Sequence, residues 1–201
     1  MSDLIQVEHL TKDYGKGRGV FDVSFGVSAG EAFGFLGPNG AGKTTTMRHL
    51  MGFVRPDSGR VRIAGMDCFA DARRVQKKVG YLPGELSLAG DMTGDGFLRF
   101  VAGMKHVRDS ARCRALCDRF EVDRKNRIRK MSKGQKQKIG LVCAFLGDPE
   151  VYLLDEPTSG LDPLMQGRFL ELLEEEKARG KTILLSSHLF EEVERVCTRT
   201  A

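Results

Sequence analysis

Gly37-Pro38-Asn39-Gly40-Ala41-Gly42-Lys43-Thr44 fits the pattern GxxxxGK[ST] at every fixed position. Glycines at these points let the backbone curl, so that successive N–H groups converge on phosphate oxygens. Lys43 adds a point charge for the β- and γ-phosphates, and Thr44 offers a hydroxyl suited to Mg²⁺. The spacing implies a nucleotide phosphate and leaves the reaction open. Much later in the chain, Val151-Tyr152-Leu153-Leu154-Asp155-Glu156 sets four apolar residues before two acids. At the C-terminal end of a parallel strand, such acids open onto a ligand crevice. There Asp155 is placed to hold the Mg²⁺ shell, directly or through water, and Glu156 to polarise an attacking water.

These groups need elements to position them. Phe21, Val23, Phe25 and Val27 alternate with Asp22, Ser24 and Gly26, which predicts a half-buried strand, with Ile5 and Val7 as a weaker partner. Glu31 to Leu36 reads as a short apolar strand running into the phosphate loop. A helix is expected from Lys43 to about Met51, a turn at Pro56 to Gly59, and a strand at Val61 and Ile63. Between Glu85 and Lys130 strand signals fade, and Cys113, Leu116, Cys117 and Phe120 make a helical stripe. Beyond it, Val151 to Leu154 reads as a strand covered on both faces. Asp162 with Pro163 reads as a helix start, and Met165, Phe169, Leu172 and Leu173 give that helix its buried stripe up to Gly180. A strand at Thr182 to Ser187 and a helix carrying Leu189, Val193, Val196 and Cys197 complete an α/β pattern with a parallel sheet.

The 201 residues suffice for one domain with a small inserted subdomain. Hydrophobic residues at 41% and charged residues at 29% argue against disorder, and a net charge of +5 is too small to argue for nucleic acid. The longest apolar stretches, such as Leu141 to Gly147, fall short of the ~20 residues that span a bilayer. Asp3 and Glu8 interrupt any signal peptide at the start. Five cysteines without CxxC fit buried thiols in a reducing, cytosolic setting.

Further segments resemble the ATP-binding subunits of ABC transporters, and specifically those of bacterial ABC-2-type exporters. Met131-Ser132-Lys133-Gly134-Gln135 resembles the LSGGQ signature, and Ser132 with Gln135 also reads as a capping box. Pro157 to Asp162 looks like the D-loop, and Ser187-His188 like the switch histidine. Tyr14-Gly15 sits where the family stacks an aromatic on adenine. These segments follow the family order across nearly the whole chain. Other readings stay open for single residues: Tyr14 as a strand-end aromatic, His188 as a core histidine, Asp162 and Ser132 as helix caps.

The resemblance implies a P-loop NTPase core with a parallel sheet, an N-terminal antiparallel β subdomain and an inserted helical subdomain. Positions 1–84 and 136–201 form the core, and 85–135 the helical part. It implies ATP and Mg²⁺ as cofactors, held by Tyr14, the loop from Gly37 to Thr45, Ser132, Gly134, Gln135 and Asp162, with Thr44 and Asp155 at the metal. Catalysis would rest on Lys43, Glu156 and His188. In a head-to-tail homodimer, or a pair with a related subunit, Ser132 and Gly134 of one copy would face the γ-phosphate held by Lys43 of the other. The partner would be a separate transmembrane permease, and the location the cytoplasmic face of the membrane, peripherally bound. The basic run from Arg119 to Lys138 reads as a solvated surface, or as a face near acidic membrane-subunit loops or lipid headgroups. Nucleic acid is not expected, because no aromatics interleave those charges.

Two departures stand out. Gly84 follows Tyr81-Leu82-Pro83 where the family has Gln, so Glu85, a water or a backbone carbonyl would have to substitute. The chain also stops at Ala201, where the family continues through further strands, so C-terminal strands are expected to be missing and a sheet edge open. Two other classes fit less well. A soluble ABC-type ATPase acting on ribosome or DNA would carry two nucleotide domains or sustained heptads. A truncated, inactive nucleotide-binding remnant would bind without turnover.

Overall fold

A computed structural model describes residues 3–107 and 110–201. Two sheets stack against one another. The first is antiparallel, in the order β2-β1-β4-β5, from β1 (Ile5–Asp13), β2 (Gly19–Val27), β4 (Ser58–Ile63) and β5 (Met66–Asp67). The second is parallel, in the order β6-β7-β8-β3-β9, from β3 (Ala32–Leu36), β6 (Val79–Leu82), β7 (Val151–Asp155), β8 (Thr182–Ser187) and β9 (Arg199–Thr200). The helices are α1 (Lys43–Leu50), α2 (Ala72–Gln76), α3 (Gly94–Met104), α4 (Ser110–Arg119), α5 (Lys133–Phe145), α6 (Pro163–Ala178) and α7 (Phe190–Val196).

The apolar runs of β3, β7 and β8 are buried because each strand feeds two cores. Val151, Leu153, Leu184 and Phe33 join Met47 and Leu50 of α1 and the antiparallel sheet on one face. Tyr152, Leu154, Ile183, Leu185 and Ala32 join α5, α6 and α7 on the other. A period of two on a strand covered on both sides gives this division. Buried Leu and Ile side chains contribute about 1.5–3 kcal/mol each. Glycines permit the closest approach. A Cβ on Gly80 of β6 would stand 2.3 Å from the Ala144 carbonyl oxygen of α5, so no other residue lets that helix sit so near the sheet.

Register then fixes the site. Leu36 pairs with Ser187, and Asp155 with Ser186. The phosphate loop, the two acids and His188 therefore leave the sheet at one edge, at the carboxyl ends of neighbouring strands.

The alternation in β2 is not what its apolar residues suggest. Phe21 is 52% exposed and the buried residue is Val20. Phe21 and Asp22 together oppose Thr11, with Asp22 at φ 54°, so a bulge reverses the facing of the strand before Val23. Leu189 is likewise exposed, lying just before α7, whose buried residues are Glu192, Val193 and Val196. The hydrogen-bonding edge of β3 is covered: Thr198 N donates to Ala32 O, Ala201 N to Gly34 O, and Leu36 N to Ala201 O. Helix α5 runs unbroken through position 135. Among the described residues no helix is long and apolar enough to cross a membrane.

Candidate functional site

Gly42 opens α1 at φ 91°, and Gly40 lies at φ 87°; both are left-handed conformations that suit glycine. A Cβ on Gly42 would also stand 2.4 Å from Val20 Cγ1, so the loop is seated on the start of β2. Lys43 is only 5% exposed. Its Nζ donates to Gly37 O at 2.5 Å and Pro38 O at 3.2 Å, and lies 3.3 Å from Glu156 Oε1. That last contact is an ion pair outside hydrogen-bond geometry, and it leaves Oε1 buried without a donor.

Asp155 is fully buried yet has partners for both oxygens. Thr44 Oγ1 donates to Oδ2 at 2.6 Å, and Ser186 Oγ donates to Oδ1 at 2.5 Å. A buried carboxylate without such donors would cost several kcal/mol. Glu156 stands at φ 48°, with its N–H donating to Ser186 O at 3.1 Å. Its Oε2 lies 2.6 Å from His188 Nδ1. A carboxylate there only accepts, so Nδ1 carries the ring proton. Gly84 packs on the same group: a Cβ would be 3.2 Å from Asp155 Oδ2. Glu85 is exposed. The Tyr81 phenol is pushed up to about 12 by burial, with the negative charge of Asp155 adding to it.

Around this lies a cavity of about 380 Å³. Pro38, Asn39, Gly40, Ala41, Gly42, Lys43, Thr44, Thr45 and Glu156 line it, with Tyr14 and the turn Gly17-Arg18-Gly19 opposite. Tyr14 is 48% exposed there, with Lys12 Nζ over its ring, 6.0 Å from the ring centre.

Ser132, Gly134, Gln135 and Asp162 are brought together elsewhere. Gln135 N donates to Ser132 Oγ and Ser132 N to Gln135 Oε1, which is a complete capping box. A Cβ on Gly134 would stand 2.5 Å from Gly160 O, and Lys133 Nζ donates to Ser159 Oγ at 2.9 Å. Asp162 Oδ1 accepts from Met165 N and caps α6. None of these four residues lines the phosphate-loop cavity.

Three members of this arrangement escaped the sequence reading. Ser186 wires Asp155 to Glu156, and its only signal was its place before Ser187-His188. Buried Gln137 donates to Pro157 O at 2.8 Å, two residues past the capping box. The turn Gly17-Arg18-Gly19 gave its glycines as a signal.

A glycine-walled phosphate cradle at a strand-to-helix turn, with acids at the end of β7, one strand removed from β3 across β8, defines a P-loop nucleotide-binding protein. The family model described as ABC transporter matches residues 20–159, and the chain belongs to that family. The Nod factor export ATP-binding protein I of Paraburkholderia xenovorans is 41% identical, over 97% of this chain and 66% of its own. A solved ATP-binding subunit of an ABC transporter superposes with a TM-score of 0.86 at 35% identity, covering 96% of this chain and 83% of that one. A dimeric bacterial ABC transporter cassette gives 0.85 at 21%, with 96% and 91% covered, which speaks for the fold. The chain spans 52% to 66% of the length of the curated relatives it matches.

Proposed function

We propose that this chain binds and hydrolyses ATP as the nucleotide-binding subunit of an exporter-type ABC transporter, acting peripherally on a separate membrane permease at its cytoplasmic face. The reading rests on one observation: Lys43, Thr44, Asp155, Glu156 and His188 meet at the mouth of the phosphate loop. The exporter assignment leans on the name of the Nod factor export relative.

In this reading the loop amides and Lys43 hold the β- and γ-phosphates, and Tyr14 stacks on the base. Thr44 and Asp155 are hard oxygen donors 2.6 Å apart, a set that fits Mg²⁺. Mg²⁺ would supply charge neutralisation on the phosphates. Among the described residues no cluster of three or more His, Cys, Asp or Glu side chains could hold a metal, so the cation would enter with the nucleotide. When phosphate takes over Lys43, Glu156 is left to accept a proton from water, while His188 fixes its orientation. The core comprises 1–84 and 136–201, with 85–135 as the helical subdomain.

Ser132, Gly134 and Gln135 stand away from the cavity of their own copy, so a second copy, head to tail, supplies them to the γ-phosphate. Asp162 then signals across the dimer. Closure by ATP and opening after hydrolysis drive the permease.

Calorimetry and turnover test this. Glu156→Gln retains MgATP binding and loses at least ~10²-fold in turnover. Lys43→Ala loses binding. Unchanged turnover in the first, or retained affinity in the second, overturns the reading.

A further inference from the structure

Glu192 is 6% exposed, one turn past His188, and the mechanism above does not use it. Its Oε2 accepts from Ser187 Oγ at 2.8 Å, and Ser187 Oγ in turn accepts from Leu189 N at 3.0 Å. Ser187 and Leu189 are the two residues flanking His188. Leu189 itself supplies no side-chain cap to α7, and among the described residues this link is the side-chain tie between the 187–189 turn and the first turn of the helix. The other end of the link is rigid. Val193 is fully buried, and a Cβ on Gly34 would stand 2.2 Å from its Cγ1, so α7 is pressed on β3. Oε1 of Glu192 is buried without a donor, an uncompensated desolvation that the fold bears.

The geometry points to Glu192 as the positioning residue of the switch histidine: through Ser187 it holds the 187–189 turn so that His188 Nδ1 meets Glu156. This deepens the ATPase reading and rests on it for its kinetic consequence. The carboxylate acts by geometry, because what Ser187 needs is an acceptor. An amide oxygen can serve, whereas an alkyl chain of similar size cannot.

The test uses the whole chain with ¹⁵N-labelled histidine, and long-range ¹H–¹⁵N correlation to read the His188 tautomer. Wild type shows Nδ1 protonated. Glu192→Leu loses that signature, and turnover at saturating ATP falls about tenfold, with KM for ATP within about twofold. Glu192→Gln restores both. Ser187→Ala cuts the link from the other side, gives the same loss, and serves if Glu192→Leu does not fold. The role is overturned if Glu192→Leu or Ser187→Ala keeps the wild-type ring spectrum, or if Glu192→Gln falls as far as Glu192→Leu. Should the wild type hydrolyse no ATP, the functional reading fails, and the ring spectra still decide the positioning role.

Discussion

Glu156 holds its carboxylate at the price of a left-handed backbone, φ 48°, which costs a non-glycine residue about 1–2 kcal/mol. Glu156→Gly is therefore expected to unfold at higher denaturant than Glu156→Ala, by about 1 kcal/mol, although both abolish turnover. Equal midpoints in urea would show that the turn is unstrained. His49 makes a separate residue-scale prediction. Its Nδ1 donates to Thr45 O, its Nε2 is buried without a partner, and burial is the main cause holding the ring below the usual 6.5. The unfolded chain thus takes up the proton first. Stability from neutral His49 is complete above 6.5 and is lost as pH falls through the lower folded value. Urea midpoints at pH 7.5 and 5.5 will differ more in wild type than in His49→Gln.

At the scale of elements, the contact of α5 with β6 turns on Gly80. Gly80→Ala places a methyl carbon against the Ala144 carbonyl and is expected to destabilise by about 1–3 kcal/mol, read as a lower melting temperature. Asp162→Ala removes the α6 cap at a cost of about 0.5–2 kcal/mol. Both helix starts were legible beforehand, because Asp162-Pro163 and Ser132 with Gln135 act within one turn. So were β3, β7 and β8 of the parallel sheet, whose apolar runs need no partner to be recognised, whereas β6 and the two-residue β9 were not read as strands. The bulge at Phe21 was not legible: five apolar residues between Val20 and Val27 fit either facing, and the choice falls to Thr11 of the partner strand, whose Oγ1 accepts from Asp22 N. Ser186 was hidden for the same reason, since strand register, not local sequence, sets it beside Asp155.

At the scale of the molecule, the proposed dimer treats the phosphate cradle and the capped start of α5 as two half-sites of one copy. The phosphate cradle faces one cavity, while the capped start of α5 is bound to the loop before α6 by Gly134 against Gly160 and Lys133 on Ser159. Ser132 does not line the cavity that Lys43 lines, and the proposed dimer assigns a second chain to bring them together. A mixing experiment isolates this. Lys43→Ala removes the cradle, and Ser132→Arg blocks the cap with a long cation; each protein alone forms only defective pairs. Mixed in equal amounts, half the pairs contain one of each, and every such pair has one intact site, with Lys43 from the Ser132→Arg copy and Ser132 from the Lys43→Ala copy. If sites act independently, turnover returns to about a quarter of wild type. Steady-state phosphate release against mixing ratio measures it, peaking at equal amounts. A flat line at the level of the separate variants would mean that each chain completes its own site.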